Sequence, residues 1–472
     1  MTTKPGAITA TAEAVARRDV TSVQTVTESL NRIEEFDDAI GSVIALRAEL
    51  ALQEAARLDA SLAETGEVVG PLHGVPVLVK DLENVAGMPT RKGSKLYENV
   101  PPSETDEIVP ALLRAAGAII VGKTNLPEFA TEGFTDNLLD GPTKNPWDLR
   151  YSPGGSSGGS GAALAAGLAP IATGTDGGGS VRIPSGLCGL LGIKPTVGAI
   201  GRWPAPDWLD LSTYGPFATT AQDLGLLYSL MTGVVPGDPA SAPSFTQPSM
   251  TYRRVVVTER TSAWGPLPEP VRSLFLDAAE RFATMLGVPA EIIDGQNTFE
   301  SVGDPDVDWF TMCTAEHVAA IGRDTVIANL SIMHPAAASF MEEGLRVSID
   351  DYLGTRHRRP KYTRIIDELL GQDTLLLTPI LGVEAITYDG RLPNSDSVDM
   401  LPPEVYSTAF QNITGHPAIS LPAGLYPSGL PFGLQVTAPR WHDHDLITLA
   451  RRWEDSYPWA RVAPGYTEFA VR

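Results

Sequence analysis

The chain is poor in cysteine, with only Cys188 and Cys313 in 472 residues. So sparse a pair excludes a disulfide framework, and stability has to come from a packed core. Long hydrophobic runs are also missing: no uninterrupted apolar stretch reaches the roughly 18 residues that crossing a bilayer requires. The opening Met1-Thr2-Thr3-Lys4-Pro5 lacks the apolar centre of a secretory signal, so the expected location is the cytoplasm. Positive charge is scarce, with 35 basic against 57 acidic residues and a net charge of −22. A surface of that sign repels nucleic-acid phosphates and anionic lipid, which makes neither an expected partner. What the chain does have is a hydrophobic fraction of 43%, enough for a sizeable globular core.

The first 65 residues read as helices. Val23, Val26, Leu30 and Ile33 recur at three- and four-residue steps behind Thr21 and Ser22, and Ala45 to Ala63 continues in strong helix formers. Residues 66–200 then break into short apolar runs and glycine-rich turns. His73-Gly-Val-Pro-Val-Leu-Val-Lys80 is apolar at both phases, which predicts a strand covered on both faces. Ala118 to Val121 predicts a second strand, with a helix over 107–116 between them. Further strands are expected over 255–257, 291–293, 374–377, 418–421 and 432–436, and helices over 270–286 and 445–455. The Pro- and Ser-rich residues 236–250 predict a surface loop. Together these signals indicate a layered α/β fold in one domain over 1–472, with one sheet assembled from distant parts of the chain.

Chemistry concentrates in two glycine–serine clusters. In Gly154-Gly155-Ser156-Ser157-Gly158-Gly159-Ser160 the glycines could form a flexible linker, but the apolar Ala162 to Leu168 follows at once. A linker has no reason to open a buried helix, whereas glycines at a helix entrance present N–H donors to a negative oxygen. The second cluster, Gly174-Thr175-Asp176-Gly177-Gly178-Gly179-Ser180, sets a serine directly after three glycine amides. Acyl transfer needs that pairing of a nucleophilic oxygen with donors for a developing oxyanion. Arg182 reads either as an ion-pair partner of Asp176 or as a group shaping the site. None of the seven histidines stands in a recognisable triad setting. Lys80 ends an apolar strand, and burial would lower its pKa towards that of a neutral base. A strand-end lysine is ordinarily solvated; the two serine clusters are what make this one a base in a Ser–Lys arrangement.

Lys80 and the two clusters together resemble the amidase signature family. In that family a lysine follows a Gly-Val-Pro strand, and the two serines lie about two dozen residues apart; here the separation is 180 − 156 = 24. The likeness extends over most of the chain, through Gly122 to Asn125, Lys144 to Trp147, Arg182 to Ser185, Lys194 to Thr196, Pro417 to Gly424 and Gly429 to Gln435. It implies a single α/β/α sandwich, with a large mixed β-sheet covered by helices. It further implies Ser180 as nucleophile, Ser156 as a bridging serine after a cis peptide bond, and Lys80 as base. The oxyanion hole would be Gly177, Gly178, Gly179 and the Ser180 backbone, with Ser157, Asp176 and Arg182 in support and neither metal nor cofactor. Two positions depart from the common pattern. Leu82 stands where asparagine is frequent, and Gly177 where a larger residue is frequent, which could loosen the hole or widen the acyl pocket.

The implied activity is hydrolysis of an amide, anilide or carbamate of a small molecule by a monomer or homodimer, as in an aryl acylamidase or a urethanase. Trp203 and Trp208 are candidate substrate-binding residues, and Trp309, Phe310, Met312 and Cys313 form a second apolar group. One alternative is a component of a glutamine-dependent tRNA amidotransferase. Another is an α/β-hydrolase-like esterase that uses Ser156 of Gly154-Gly-Ser-Ser-Gly158 with Asp443 and His444. Gly117 to Thr124 matches the phosphate-loop pattern, but Ile119-Ile120-Val121 reads as a buried strand rather than a loop. His442 to Asp445 reads as the polar start of a helix rather than a metal site.

Overall fold

The computed structural model describes residues 5–243, 249–262, 266–299, 301–393 and 405–471. In the first half the strands are β1 (Val43–Leu46), β2 (Pro76–Lys80), β3 (Ile119–Thr124), β4 (Ile171–Ala172), β5 (Thr175–Asp176) and β6 (Leu191–Lys194). They continue as β7 (Thr213–Tyr214), β8 (Phe217–Ala218), β9 (Arg254–Val257), β10 (Ala290–Ile292), β11 (Thr374–Pro379), β12 (Ala418–Leu425) and β13 (Pro431–Thr437). The large mixed sheet is present in two sections. Four strands run in the order β1-β3-β2-β4 and seven in the order β10-β9-β11-β13-β12-β6-β8. The facing edge strands β4 and β8 touch. Parallel pairing joins β3, β2 and β4, while β12, β13 and β6 pair antiparallel.

Alternation along the strands shows why both faces are covered. Val77 and Val79 pack into one cluster with the helices Ala7–Ala16 and Ile108–Ala115, while Leu78 between them joins the helices Ser22–Ile40 and Ala48–Thr65. In the larger section, Val255 and Val257 face the helices Val271–Leu286 and Asp443–Ser456, and Val256 faces Pro305–Ile321 and Ile349–Leu370. A strand with apolar residues at both phases therefore lies inside an α/β/α sandwich, since each face needs its own cover.

Several expectations need correction. The first 65 residues are not all helical: Val43–Leu46 forms β1, antiparallel to β3, and the next helix begins only at Ala48. Pairing with a sheet edge overrides the helix propensity of Ala45 and Leu46. The chain between β10 and β11 is largely helical, with Pro305–Ile321, Pro335–Arg346 and Ile349–Leu370 covering one face of the sheet. Of the expected loop over 236–250, the described residues lie outside helices and strands, and 244–248 fall outside the described residues. The phosphate-loop lookalike is β3, buried along its whole length. A Cβ on Gly122 would lie 2.4 Å from the Ala45 carbonyl oxygen, so glycine there serves strand packing.

Candidate active site

Lys80 is the last residue of β2, and its amide donates to Thr173 Oγ1 on the chain leaving β4. Its side chain is fully buried. Nζ reaches three hydroxyls, Ser156 Oγ at 2.8 Å and Ser157 Oγ and Thr175 Oγ1 at 2.9 Å each. Burial pushes the ammonium down to about 7, against the opposing pull of Glu83 and Asp176. With no carboxylate among these hydrogen-bond partners, the neutral amine is well populated near pH 7. The Gly155–Ser156 peptide is cis. Gly155 itself sits against the backbone of Glu132 and Phe134, where a Cβ would meet carbonyl oxygens at 2.5–2.6 Å. Ser157 opens the helix Gly158–Ala165, whose residues are all buried, and its amide donates to the Ser180 carbonyl at 3.2 Å.

The turn before Ser180 is held by a buried ion pair. Arg182 grips Asp176 through Nε at 3.0 Å and Nη2 at 2.8 Å, and both side chains are buried. Burial works against the Asp176 carboxylate, but the Arg182 guanidinium prevails and holds it at about 2. Arg182 also reaches Thr408, Gln411, Asn412 and Gln435, which ties the turn to the helix Ala409–Thr414 with its N-cap and to β13. Asp176 Oδ1 in turn accepts the Gly179 amide at 2.8 Å. The Gly179 amide, expected in the oxyanion hole, is therefore already taken, which leaves the amides of Gly177, Gly178 and Ser180 as the candidates for it. Each is oriented through the carbonyl of its own peptide plane, because N–H and C=O point oppositely in a trans peptide. Asn412 Nδ2 holds the Asp176 carbonyl at 2.9 Å, Trp309 Nε1 holds the Gly177 carbonyl at 2.7 Å, and Ile183 N–H holds the Gly179 carbonyl at 2.7 Å.

Two cavities meet at Ser180, which is 8% exposed. The first, about 140 Å³, contains Ser156, Thr175 and Gly177 with the polar Glu83, Glu107 and Lys92 and the apolar Phe129, Pro206 and Trp208. The second, about 130 Å³, is walled by Trp208, Trp309, Phe310, Phe340 and Ile183. Trp208 separates them. It packs edge-on to Trp309 at 5.6 Å and stacks on Phe340 at 6.0 Å.

The structure therefore brings Lys80, Ser156, Ser157, Asp176, Ser180 and Arg182 together, and Arg182 answers both readings offered for it. Trp208 lies at the site. Trp203 does not: it is 56% exposed, belongs to neither cavity and packs by Gly237. Trp309 and Phe310 line the second cavity, while Met312 and Cys313 are core residues. The glycine at 177 opens no extra room, because a Cβ there would lie 2.3 Å from the Trp208 ring that fills the space. The esterase alternative fails on geometry. Asp443 is taken up by Thr196 and His444 packs on Tyr228, so neither serves Ser156. His442 sits at the N-cap of Asp443–Ser456, with Nδ1 3.0 Å from Asp445. Sequence reasoning assigned nothing to Thr175, Asn412, Glu83 or Glu132; for Thr175 the signal was its place inside the second cluster.

The family model described as Amidase matches residues 24–282 and 315–447. An acylamidase of Rhodococcus erythropolis is 32% identical, over 96% of this chain and 96% of its own length. A glutamyl-tRNA(Gln) amidotransferase subunit from Carboxydothermus hydrogenoformans is 30% identical, over 96% of this chain and 97% of its own. Among solved structures, a bacterial aryl acylamidase superposes with a TM-score of 0.84 at 26% identity, covering 95% of each chain.

Proposed function

From the premise that the chain belongs to the amidase signature family, we propose that it hydrolyses an amide, anilide or carbamate through an acyl-enzyme on Ser180. The observation that carries this reading is the fully buried Lys80 Nζ, 2.8 Å from Ser156 Oγ and beside the cavity that Ser156 and Ser180 share. Neutral Lys80 accepts the Ser156 proton, and Ser156 accepts that of Ser180 as Ser180 Oγ attacks the carbonyl carbon. The oxyanion turns to the amides of Gly177, Gly178 and Ser180. The relay then runs backwards. Ser156 protonates the nitrogen, the C–N bond breaks, and the amine leaves. Water attacks the Ser180 ester by the same route and releases the acid.

Because Ser156 opens onto the first cavity and not the second, the departing amine belongs in the first and the acyl group among the tryptophans. Phe129, Pro206 and Trp208 suit an aniline ring on the amine side. The test is hydrolysis of a p-nitroanilide and an aryl carbamate by the purified chain. Ser180→Ala is expected to lower kcat by about 10⁴-fold or more, and turnover that survives it would sink the mechanism.

The amidotransferase relative favours a second reading, in which the chain takes glutamine and passes ammonia to a partner. Glutamine carries an α-ammonium and an α-carboxylate. Among the described residues, the second cavity offers that carboxylate no lysine or arginine, and in the first Lys92 and Arg202 are already paired with Asp207 and Asp238. Glutaminase activity above the anilide rate would reverse the choice.

A further inference from the structure

Besides its aromatic walls and Ile183, the second cavity is lined by polar side chains, among them Glu132, Tyr406 and Asp306, of which Asp306 accepts from Ser262 Oγ. Glu132 lines it at 6% exposure, and Tyr406 lines it beside Glu132's neighbour Gly133, where a Cβ would lie 2.3 Å from the Tyr406 ring. Glu132 Oε1 and Tyr406 Oη are both buried and have no hydrogen-bond partner among the described residues. Buried polar groups are ordinarily satisfied, and an exception calls for an explanation. Burial alone pushes the Glu132 carboxyl up to about 8, with no cation or donor offsetting it. Asp176 and Asp207 at the site each have a cation, Arg182 and Lys92, whereas Glu83 in the first cavity is likewise pushed up to about 8 by burial and keeps Oε2 without a partner among the described residues. In the chamber that opens at Ser180, Glu132 Oε1 and Tyr406 Oη are thus two oxygens to which no described residue donates.

On the reading of Ser180 given above, we infer that the preferred substrate has an apolar acyl group ending in a primary amine, whose N–H bonds meet Glu132 Oε1 and Tyr406 Oη. The acyl body fills the space between Trp309, Phe310 and Phe340, and its carbonyl faces the glycine amides. The amine brings two N–H bonds for the two waiting oxygens. An acyl group of the same shape without the amine leaves both oxygens dry and unpaired, which is where discrimination arises.

The test uses Ser180→Ala protein, which holds an amide without cleaving it, and compares phenylacetamide with 4-aminophenylacetamide by titration calorimetry. The amino compound is expected to bind about tenfold more tightly, the effect of hydrogen bonds to otherwise unpaired groups. Adding Glu132→Leu removes the difference, and Glu132→Gln, which keeps the shape, retains part of it. Equal affinity for the two amides, or no measurable binding of either, overturns the inference. Hydrolysis of the phenylacetyl p-nitroanilide by the unmutated chain is followed alongside. Selective binding without turnover overturns the acyl-enzyme reading and leaves the amine pocket standing; turnover without selectivity does the reverse.

Discussion

Lys80 and Lys194 each end a strand, β2 and β6, and each is fully buried. Burial pushes both down to about 7, helped at Lys194 by the nearby Arg182. Their surroundings differ. Lys194 Nζ donates to the Pro195 carbonyl at 2.7 Å and borders neither cavity that meets at Ser180. Lys80 has side-chain hydroxyls around it, and two of the residues that carry them, Ser156 and Thr175, line the first cavity. A lowered pKa by itself thus marks burial. A base needs, in addition, a partner that can surrender a proton and a path from that partner to the substrate.

The comparison breaks most visibly at Lys80. Lys80→Met is expected to lower kcat/KM on the order of 10³-fold or more, since the general base is lost; steady-state rates on an anilide measure it. Arg182→Met comes next. It strips a buried carboxylate of its cation, at an expected cost of about 3–5 kcal/mol in chemical denaturation, and carries the glycine turn with it. The pH profile sharpens the contrast. A lysine with a lowered pKa gains its proton as pH falls through the folded value, so kcat/KM should rise with pH through a midpoint near 7. A flat profile across that value would remove Lys80 from the role. Trp309→Phe keeps a ring against Gly178 and loses the N–H that steers the Gly178 amide; about a tenfold fall in kcat is expected with KM little changed. The smallest kinetic effect belongs to Lys194→Met. The pH midpoint should stay in place, with the change appearing in the melting temperature instead.

Lys80, Ser156 and Ser180 were legible because each sits in a local pattern, a strand end or a glycine turn, that needs no knowledge of the rest of the chain. The covered strands were legible for the same reason: apolar residues at both phases of β2 and β3 require two layers of helix. What escaped depends on distance along the chain. Trp309 holds a carbonyl 132 residues away and Asn412 one 236 residues away, and nothing near either residue announces it. The helix Ile349–Leu370 carries many charges and an internal Pro360, so its pattern is faint. Trp203 was misplaced because a tryptophan in a loop looks the same on the surface as at a site.

The cage around Lys80 has one more consequence. A hydroxyl can donate one hydrogen and accept others, and its hydrogen turns about the C–O bond. Ser156, Ser157 and Thr175 can therefore point their lone pairs at an ammonium or swing a hydrogen towards an amine while every heavy atom stays where it is. Carboxylates or amides in those places would favour one charge state and resist the other. On the proposed relay, a proton would pass inward and outward within a single turnover with no reorganisation beyond the rotation of three hydrogens.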